Sequence, residues 1–370
     1  MGTADLPERE RGRLRERGTP NGTWDNEGVR VRGAATCPLC SSPGFSLYRD
    51  LRDRNFKAPG RWSLRRCESC GHGWLDPMPE TGELEKLYPS YWEQYDSVFH
   101  RGGSAWDGST GRSIVDVASQ GALAAMGYPA AANSHAATFF ARALPLVPPL
   151  MEILEGAVMS IRWRDQGHLL DVGCGDGSFL VLMRSIGWTV AGVEPSREAA
   201  KVARERHDLE IREGNIEEVD LPDTYDAITM QHVIEHVREP VRVLGVTRSA
   251  LKPGGVLSIR TPNLDSLGHA RFRDLWMSLE PPRHLHLFTP STLATCVENA
   301  GFTIVDTHTS PRIAQGVFDA SRSLRKSLGA SLDTASHGRS FGSRLFIAQE
   351  AFLCTVGRDV GEEIVLLATL

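Results

Sequence analysis

The sequence predicts an α/β protein: a parallel sheet with helices on both faces, preceded by a small cysteine-rich module. Three observations predict it. From about residue 165 onward, short β-like runs alternate with helical ones. The first of these runs passes into a turn with a glycine at every second position, Asp171-Val-Gly-Cys-Gly-Asp-Gly177. Far upstream, Cys37-Pro-Leu-Cys40 and Cys67-Glu-Ser-Cys70 form two C-x2-C knuckles.

Four regions follow in order. Residues 1–34 are polar, with Arg9, Arg11, Arg13, Arg15 and Arg17 in alternation, and are expected to be a disordered, mixed-charge arm. Residues 35–100 hold the knuckles and an aromatic-rich tail, LYPSYWEQY. Residues 101–160 open with a Gly/Ser loop and continue through ATFFARALPLV and PPLMEILEGAVMSI, which are expected to be helices of a linker or lid. Residues 161–370 carry the alternating pattern. Its strand candidates are 168–172, 189–193, 209–212, 225–230 and 255–260, with two more near 302–309 and 362–370. Helical patterns fall at 178–186, 196–206 and 239–251.

Composition narrows the function. With 370 residues, 41% hydrophobic and 24% charged, the chain has the make-up of a globular protein with room for a large domain and an accessory module. A net charge of −5 gives no general drive toward nucleic acid or an anionic membrane. No apolar run approaches the roughly 20 residues of a membrane span, and the N-terminus has no apolar core like that of a secretory signal. Seven cysteines in a chain this long do not resemble a secreted disulfide scaffold, so the cytoplasm is the expected compartment.

Each knuckle holds two thiolates about one tetrahedral edge apart. Two knuckles together close an S4 site suited to Zn2+, with Cys37, Cys40, Cys67 and Cys70 as ligands. A closed site has no open coordination position, so the zinc is expected to be structural. His72 is the alternative fourth ligand; Cys174, Cys296 and Cys354 are expected in the core.

The glycine turn admits three ligands in principle. A P-loop needs a lysine after the last glycine, and none follows Gly177. A dinucleotide fingerprint starting at Gly173 and Gly175 needs a third glycine where Ser178 stands. Asp171 and Asp176 also face a pyrophosphate unfavourably. A ligand with a positive centre has the opposite preference, and S-adenosylmethionine carries a sulfonium and an ammonium. Glu194, 23 residues after Asp171, ends the second strand candidate, where a carboxylate accepts ribose hydroxyls.

DVGCGDGSF, GVEPS, GNIEEVDLPDTYDAITMQHVIEHV, LKPGGVLSIRTPN and PPRHLHLFT together resemble a class I S-adenosylmethionine-dependent methyltransferase. RCESCGHGWLDPMPE followed by LYPSYW is similar to the zinc-ribbon module that precedes this fold in some bacterial sugar and natural-product methyltransferases. The resemblance implies a seven-stranded sheet of order 3-2-1-4-5-7-6 with strand 7 antiparallel. It implies that Asp171, Gly173 and Gly175 line the methionine end and that Glu194 takes the ribose. Asn215 and Ile216 then stand against the adenine, and Gln231 and His232 approach the sulfonium side. The alternative for Asn215 is a plain turn residue.

Methyl transfer to a hydroxyl also needs a base, usually histidine near neutral pH. His232, Glu235 and His236 follow the fourth strand of the pattern; His284 and His286 follow the fifth, on the edge where open α/β sheets bind ligands. His284 is the preferred base, with His236 next and Glu235 and His286 as further candidates. If the segment is extended, His284 and His286 share one side. Phe272 and Trp276 are expected to form an apolar lid. No Asp/Asn cluster suggests Mg2+, so transfer is expected to be metal-independent. The acceptor is expected to be a small molecule methylated on oxygen, in a bacterial biosynthetic pathway. Sugar C-methylation and N-methylation are alternatives. RNA methylation is a more distant one, because the mild basic surplus of residues 1–72 lacks a dense basic and aromatic stripe.

Overall fold

The computed structural model describes residues 22–87, 114–129, 135–221, 225–327 and 341–370. The arm before residue 22, most of the LYPSYWEQY tail and the Gly/Ser loop lie outside them. The chain divides into two compact units, one of Met1–Glu93 with Leu279–Leu287, the other of Gln94–Ser278 with Phe288–Leu370.

The first unit is all β among its described strands. Thr23–Asn26 (β1) and Val29–Arg32 (β2) form an antiparallel hairpin. Glu27 and Gly28 both have left-handed φ, +58° and +95°, as a two-residue hairpin turn requires. Ordered backbone thus reaches into the region expected to be a disordered arm. The cause is visible in Val-Arg-Val-Arg: Val29 and Val31 point inward and are fully buried while Arg30 and Arg32 face out. Gly44–Leu51 (β3), Trp62–Cys67 (β4) and Gly73–Asp76 (β5) make an antiparallel sheet, which the short strand His286–Leu287 extends beside β5. Met78–Pro79 (β6) pairs with β2. Trp62 and Trp74 fill the interior, and the Trp74 indole N–H donates to the Ala34 carbonyl at 2.7 Å.

The second unit is built on a seven-stranded sheet. Its strands are His168–Val172 (β7), Thr189–Glu194 (β8), Glu210–Glu213 (β9), Tyr225–Gln231 (β10), Leu251–Pro262 (β11), Thr303–Ser310 (β12) and Glu363–Thr369 (β13). The order across the sheet is β9-β8-β7-β10-β11-β13-β12, which is 3-2-1-4-5-7-6 when the seven are counted along the chain. β7 to β11 pair in parallel, and β13 runs antiparallel between β11 and β12. Central strands such as β7 and β13 are buried nearly throughout, because helices cover both faces.

Ile114–Ala125 (α1), His135–Ala143 (α2) and Pro148–Glu155 (α3) are the helices of the expected linker. They belong to the second unit. The physical reason is apolar burial: Leu123, Met126 and Tyr128 join Leu169, Leu180 and Trp188 in one core. The Tyr128 hydroxyl donates to the Ile161 carbonyl at 2.8 Å and accepts from the Trp188 indole at 3.2 Å, so both buried polar groups are satisfied. Ser178–Ser185 (α4), Arg197–His207 (α5) and Pro240–Ala250 (α6) are the crossover helices between parallel strands. Leu267–Phe272 (α7), Pro290–Asn299 (α8), Ala314–Ser327 (α9) and Phe341–Thr355 (α10) follow.

Candidate functional site

The glycine turn links β7 to α4. The amides of Gly173 and Cys174 both donate to the Val193 carbonyl, at 2.8 and 3.2 Å, which pins the turn to the end of β8. Gly173 has φ +71°, and a Cβ there would lie 2.5 Å from Val233, so glycine is required twice over. Gly175 has φ +55°, yet a Cβ on it would meet no atom within 4 Å. The turn is therefore tight on one flank and open at Gly175. Asp176 accepts the Ser178 amide at 3.0 Å at the start of α4.

Two buried carboxylates stand behind this turn. Glu194 accepts the Gly175 amide at 2.8 Å and the Ser196 amide at 2.7 Å, one on each oxygen. A carboxylate has about four acceptor positions, so two remain for a ligand's hydroxyls. Asp171 accepts the Thr229 hydroxyl at 2.6 Å. Burial drives the Asp171 carboxyl up to about 7, with Thr229 opposing and the charge of Glu194 adding to the rise. Burial raises Glu194 as well, against the pull of its two backbone donors. Two buried acids, both pushed up by burial, beside an open glycine flank are suited to a cationic ligand.

Beyond β9, Asn215 is exposed and Ile216 is buried. The Asn215 carbonyl accepts the Glu218 amide at 2.9 Å, and its side-chain amide donates to the Glu218 carboxylate at 3.0 Å. Asn215 is thus a turn residue whose amide oxygen is not used in that bond.

At the end of β10, Gln231 is exposed. His232 has left-handed φ, +54°, and its amide donates to the Arg260 carbonyl at 2.8 Å. Its ring bridges two buried carboxylates, Glu235 at 3.2 Å and Glu363 at 3.0 Å. Burial opposes the charged ring, but the two carboxylates outweigh it and lift His232 to about 9. His232 is an imidazolium at neutral pH. Glu363 also binds Arg260 at 2.9 Å and Arg312 at 2.8 Å, and these cations hold it well below the usual carboxylate range despite its burial. Glu235 accepts the Thr261 hydroxyl at 2.9 Å and is fully buried, so it is placed to hold His232. His236 closes a turn onto the Val233 carbonyl at 2.9 Å, and α6 starts only at Pro240 with Glu239 before it, so His236 does not cap that helix.

The segment after β11 differs from its expected form. His284 donates its amide to the Glu280 carbonyl at 3.2 Å, so residues 280–284 are turned rather than extended. His284 stands at the end of that turn, and only His286 lies in a strand, opposite Trp74. The His286 ring meets His72 at 3.0 Å between ring nitrogens, and both are fully buried. Phe272 and Trp276, expected to form a lid, are both interior. Phe272 packs edge-on against Phe318, and the Trp276 indole donates to Glu362 at 2.8 Å. An indole N–H needs a partner when buried, and this one finds it on β13's flank.

In the first unit, the Sγ atoms of Cys37, Cys40, Cys67 and Cys70 all lie within 4.8 Å of one another. Three of the pairs are 3.5, 3.5 and 3.7 Å apart. A tetrahedron with Zn–S bonds of about 2.3 Å has edges of about 3.8 Å, so the set fits a tetrahedral ion. The amides of Ser69 and Cys70 donate to Cys67 Sγ at 3.4 Å, which suits a thiolate. His72 faces His286 instead. Cys174 and Cys296 are buried and Cys354 is half-buried.

Sequence reasoning missed Thr229, Arg260, Thr261, Arg312 and Glu363. For Thr229, Arg260, Thr261 and Glu363 the signal was a polar residue in a largely apolar strand, as in Ile228-Thr-Met and Ser258-Ile-Arg-Thr261; Arg312, between a strand and a helix, had none.

Residues 150–307 match the family described as a methyltransferase domain. A ubiquinone biosynthesis O-methyltransferase of Xanthomonas campestris pv. campestris is 36% identical over 104 residues, 26% of this chain and 43% of that protein. A probable S-adenosylmethionine-dependent methyltransferase of Mycolicibacterium smegmatis is 30% identical over 141 residues, 38% of this chain and 53% of that protein. The chain thus spans about half the length of these curated relatives. A crystal structure of an S-adenosylmethionine dependent methyltransferase from Mesorhizobium loti is 16% identical, over 59% of this chain and 98% of that one, with a TM-score of 0.40. No helix among the described residues is long and apolar enough to cross a membrane.

Proposed function

Residues 150–307 being a methyltransferase domain, we propose that the protein transfers a methyl group from S-adenosylmethionine to a hydroxyl of a small molecule in a bacterial biosynthetic pathway. The observation that carries this reading is the turn itself: an open flank at Gly175 backed by buried Asp171 and Glu194. S-adenosylmethionine supplies an electrophilic methyl with a good leaving group. The chain has to hold the donor, align the acceptor and accept its proton.

In this reading Glu194 holds the ribose with its remaining lone pairs, and Gly173 and Gly175 let the backbone approach the methionine portion. Asp171 faces the ammonium. Asn215 offers its amide oxygen to the adenine, with Ile216 beneath, and Gln231 borders the sulfonium side. His232, charged and clamped, orders the edge rather than acting as base. His284 takes the acceptor's proton. In support, both ends of its segment are anchored at the carboxyl edge of the sheet: Trp276 on Glu362, and Phe288 on Leu264 through a 2.8 Å backbone bond. His236 is the second candidate. Cys37, Cys40, Cys67 and Cys70 hold a structural zinc ion.

Titration calorimetry tests the donor. Wild type is expected to bind S-adenosylmethionine, and Asp171→Ala with Glu194→Ala to abolish binding. Unchanged affinity in the double variant would sink the assignment. Mass spectrometry of host metabolites with and without the protein identifies the acceptor.

A further inference from the structure

We propose that Arg283 is a positioning residue: its fork onto Asp53 fastens the excursion Leu279–Leu287 into the first unit and so fixes the imidazole of His284. The inference rests on the reading of His284 as the base only for its functional meaning; the fastening itself is a property of the fold.

The chain leaves the second unit at Ser278 and returns at Phe288. Both departures are tied down there, by the Met277 amide on the Ser321 hydroxyl at 2.9 Å and by the Leu264–Phe288 bond. Between them, nine residues are held by the first unit. Two anchors are modest: the Leu75 amide donates to the Leu285 carbonyl at 2.9 Å, and His286 faces His72.

The third anchor is of another kind. Arg283 Nη1 and Nη2 donate to the two oxygens of Asp53 at 2.7 and 3.1 Å, across 230 positions of sequence. The two side chains are 0% and 1% exposed. Nη1 also donates to the Leu87 carbonyl at 3.2 Å, and the guanidinium stacks 4.4 Å from the Phe56 ring centre. Asp53 is itself fixed, accepting the amides of Asn55, Phe56 and Ala58 at 2.9–3.0 Å. Burial alone would raise Asp53; Arg283 and these amides hold it below the usual carboxylate range.

A planar fork on a rigid carboxylate sets orientation as well as distance. The Nε of Arg283 uses its remaining direction on Glu280, at 2.8 Å. Glu280 is also the residue whose carbonyl accepts the His284 amide. The turn that carries His284 is therefore closed at both ends by the residue next to it. Without the fork, Asp53 is left buried and uncompensated, and the turn loses the contact that sets its rotation.

The test uses full-length protein with all its histidines 13Cε1-labelled and the His284 signal assigned from His284→Gln. In Arg283→Met, the His284 signal is expected to shift or split. Deuterium uptake at Leu75 and across 279–287 should rise by at least about tenfold. Metal content and the Kd for S-adenosylmethionine should stay within twofold of wild type. Arg283→Lys, which restores a charge on Asp53 but not the fork, should fold as wild type does while the His284 signal stays displaced. A His284 signal and exchange unchanged in Arg283→Met overturn the proposal; so does an Arg283→Lys variant whose His284 signal and exchange match wild type. Should Arg283→Met fail to fold, Asp53→Asn keeps the backbone acceptor and removes the charge; an undisturbed His284 there overturns the proposal as well. Failure of the methyltransferase reading shows separately, as wild type that binds no S-adenosylmethionine.

Discussion

The cysteine cluster and the carboxylate pair behind the glycine turn both crowd groups able to carry negative charge, and they relieve the crowding in different ways. In the cluster, sulfur faces sulfur at 3.5–3.7 Å, and four thiolates so placed repel unless a cation sits among them. In the second unit each acid has its own donors, Thr229 for Asp171 and the amides of Gly175 and Ser196 for Glu194. Burial also lets Asp171 take up a proton near neutral pH. The glycine turn can keep its shape with nothing bound, whereas the cluster as placed suits a cation. A metal at the first site would be folding energy, whereas a ligand at the second would meet a site already made.

The largest effect that separates the two is loss of a cysteine. Cys67→Ser is expected to drop the metal content from one zinc per chain to near zero. Structural zinc contributes about 10–16 kcal/mol of apparent binding energy, so the first unit should lose its folded signal rather than soften. The second-unit turn should still bind S-adenosylmethionine. Elemental analysis with calorimetry checks both, and a normally folded, metal-free wild type would refute the contrast.

A smaller effect asks whether the two regions serve one reaction. His284→Ala is expected to lower kcat by roughly 10²–10⁴-fold and to remove the acid limb of the pH–rate profile, with donor affinity unchanged. The acid limb is the relevant one because a base works only when unprotonated. His236→Ala should cost stability without a selective loss of kcat. The reverse pattern would move the base to the second unit.

The smallest effect is the proton at Asp171. With a folded value of about 7, affinity for a cationic ligand should rise about tenfold from pH 6 to pH 8, then level off. Asp171→Asn should flatten that rise. The unliganded fold has the opposite slope. Its Asp171 value lies above the unfolded one of about 3.9, so its contribution is fully present below pH ~4 and is lost as pH rises toward 7. A binding curve flat in wild type would show that Asp171 is not at the ligand.

Local pattern explains what was legible. The strands of the sheet show as apolar runs, and His168–Val172 begins and ends where periodicity places it. The order of strands did not come from periodicity, which is blind to neighbours; it came from resemblance. The hairpin at 23–32 had a local signal in Val29, Val31 and Gly28, masked by the charges around it. Helix α8 had one too, since Thr289 caps it with Pro290 at its first turn. The excursion had none: nothing in Pro-Pro-Arg-His-Leu-His indicates a carboxylate 230 positions away. Trp276 misled for the same reason, since its partner Glu362 is 86 positions on. The cysteine cluster was legible because the spacing within each knuckle is local. The His232 clamp was not, because its carboxylates come from two elements brought together only by folding.

The strand Glu363–Thr369 is made later than both strands it separates. It pairs antiparallel with each, so the ladder between β11 and β12 is closed only through it. The same strand delivers Glu363 to His232, Arg260 and Arg312. One strand thus supplies the hydrogen bonds of two neighbours and the carboxylate that three cations share. Losing it would open the sheet and unpair buried charge together, so these seven residues join the sheet's edge pairing and its electrostatics into one cooperative unit.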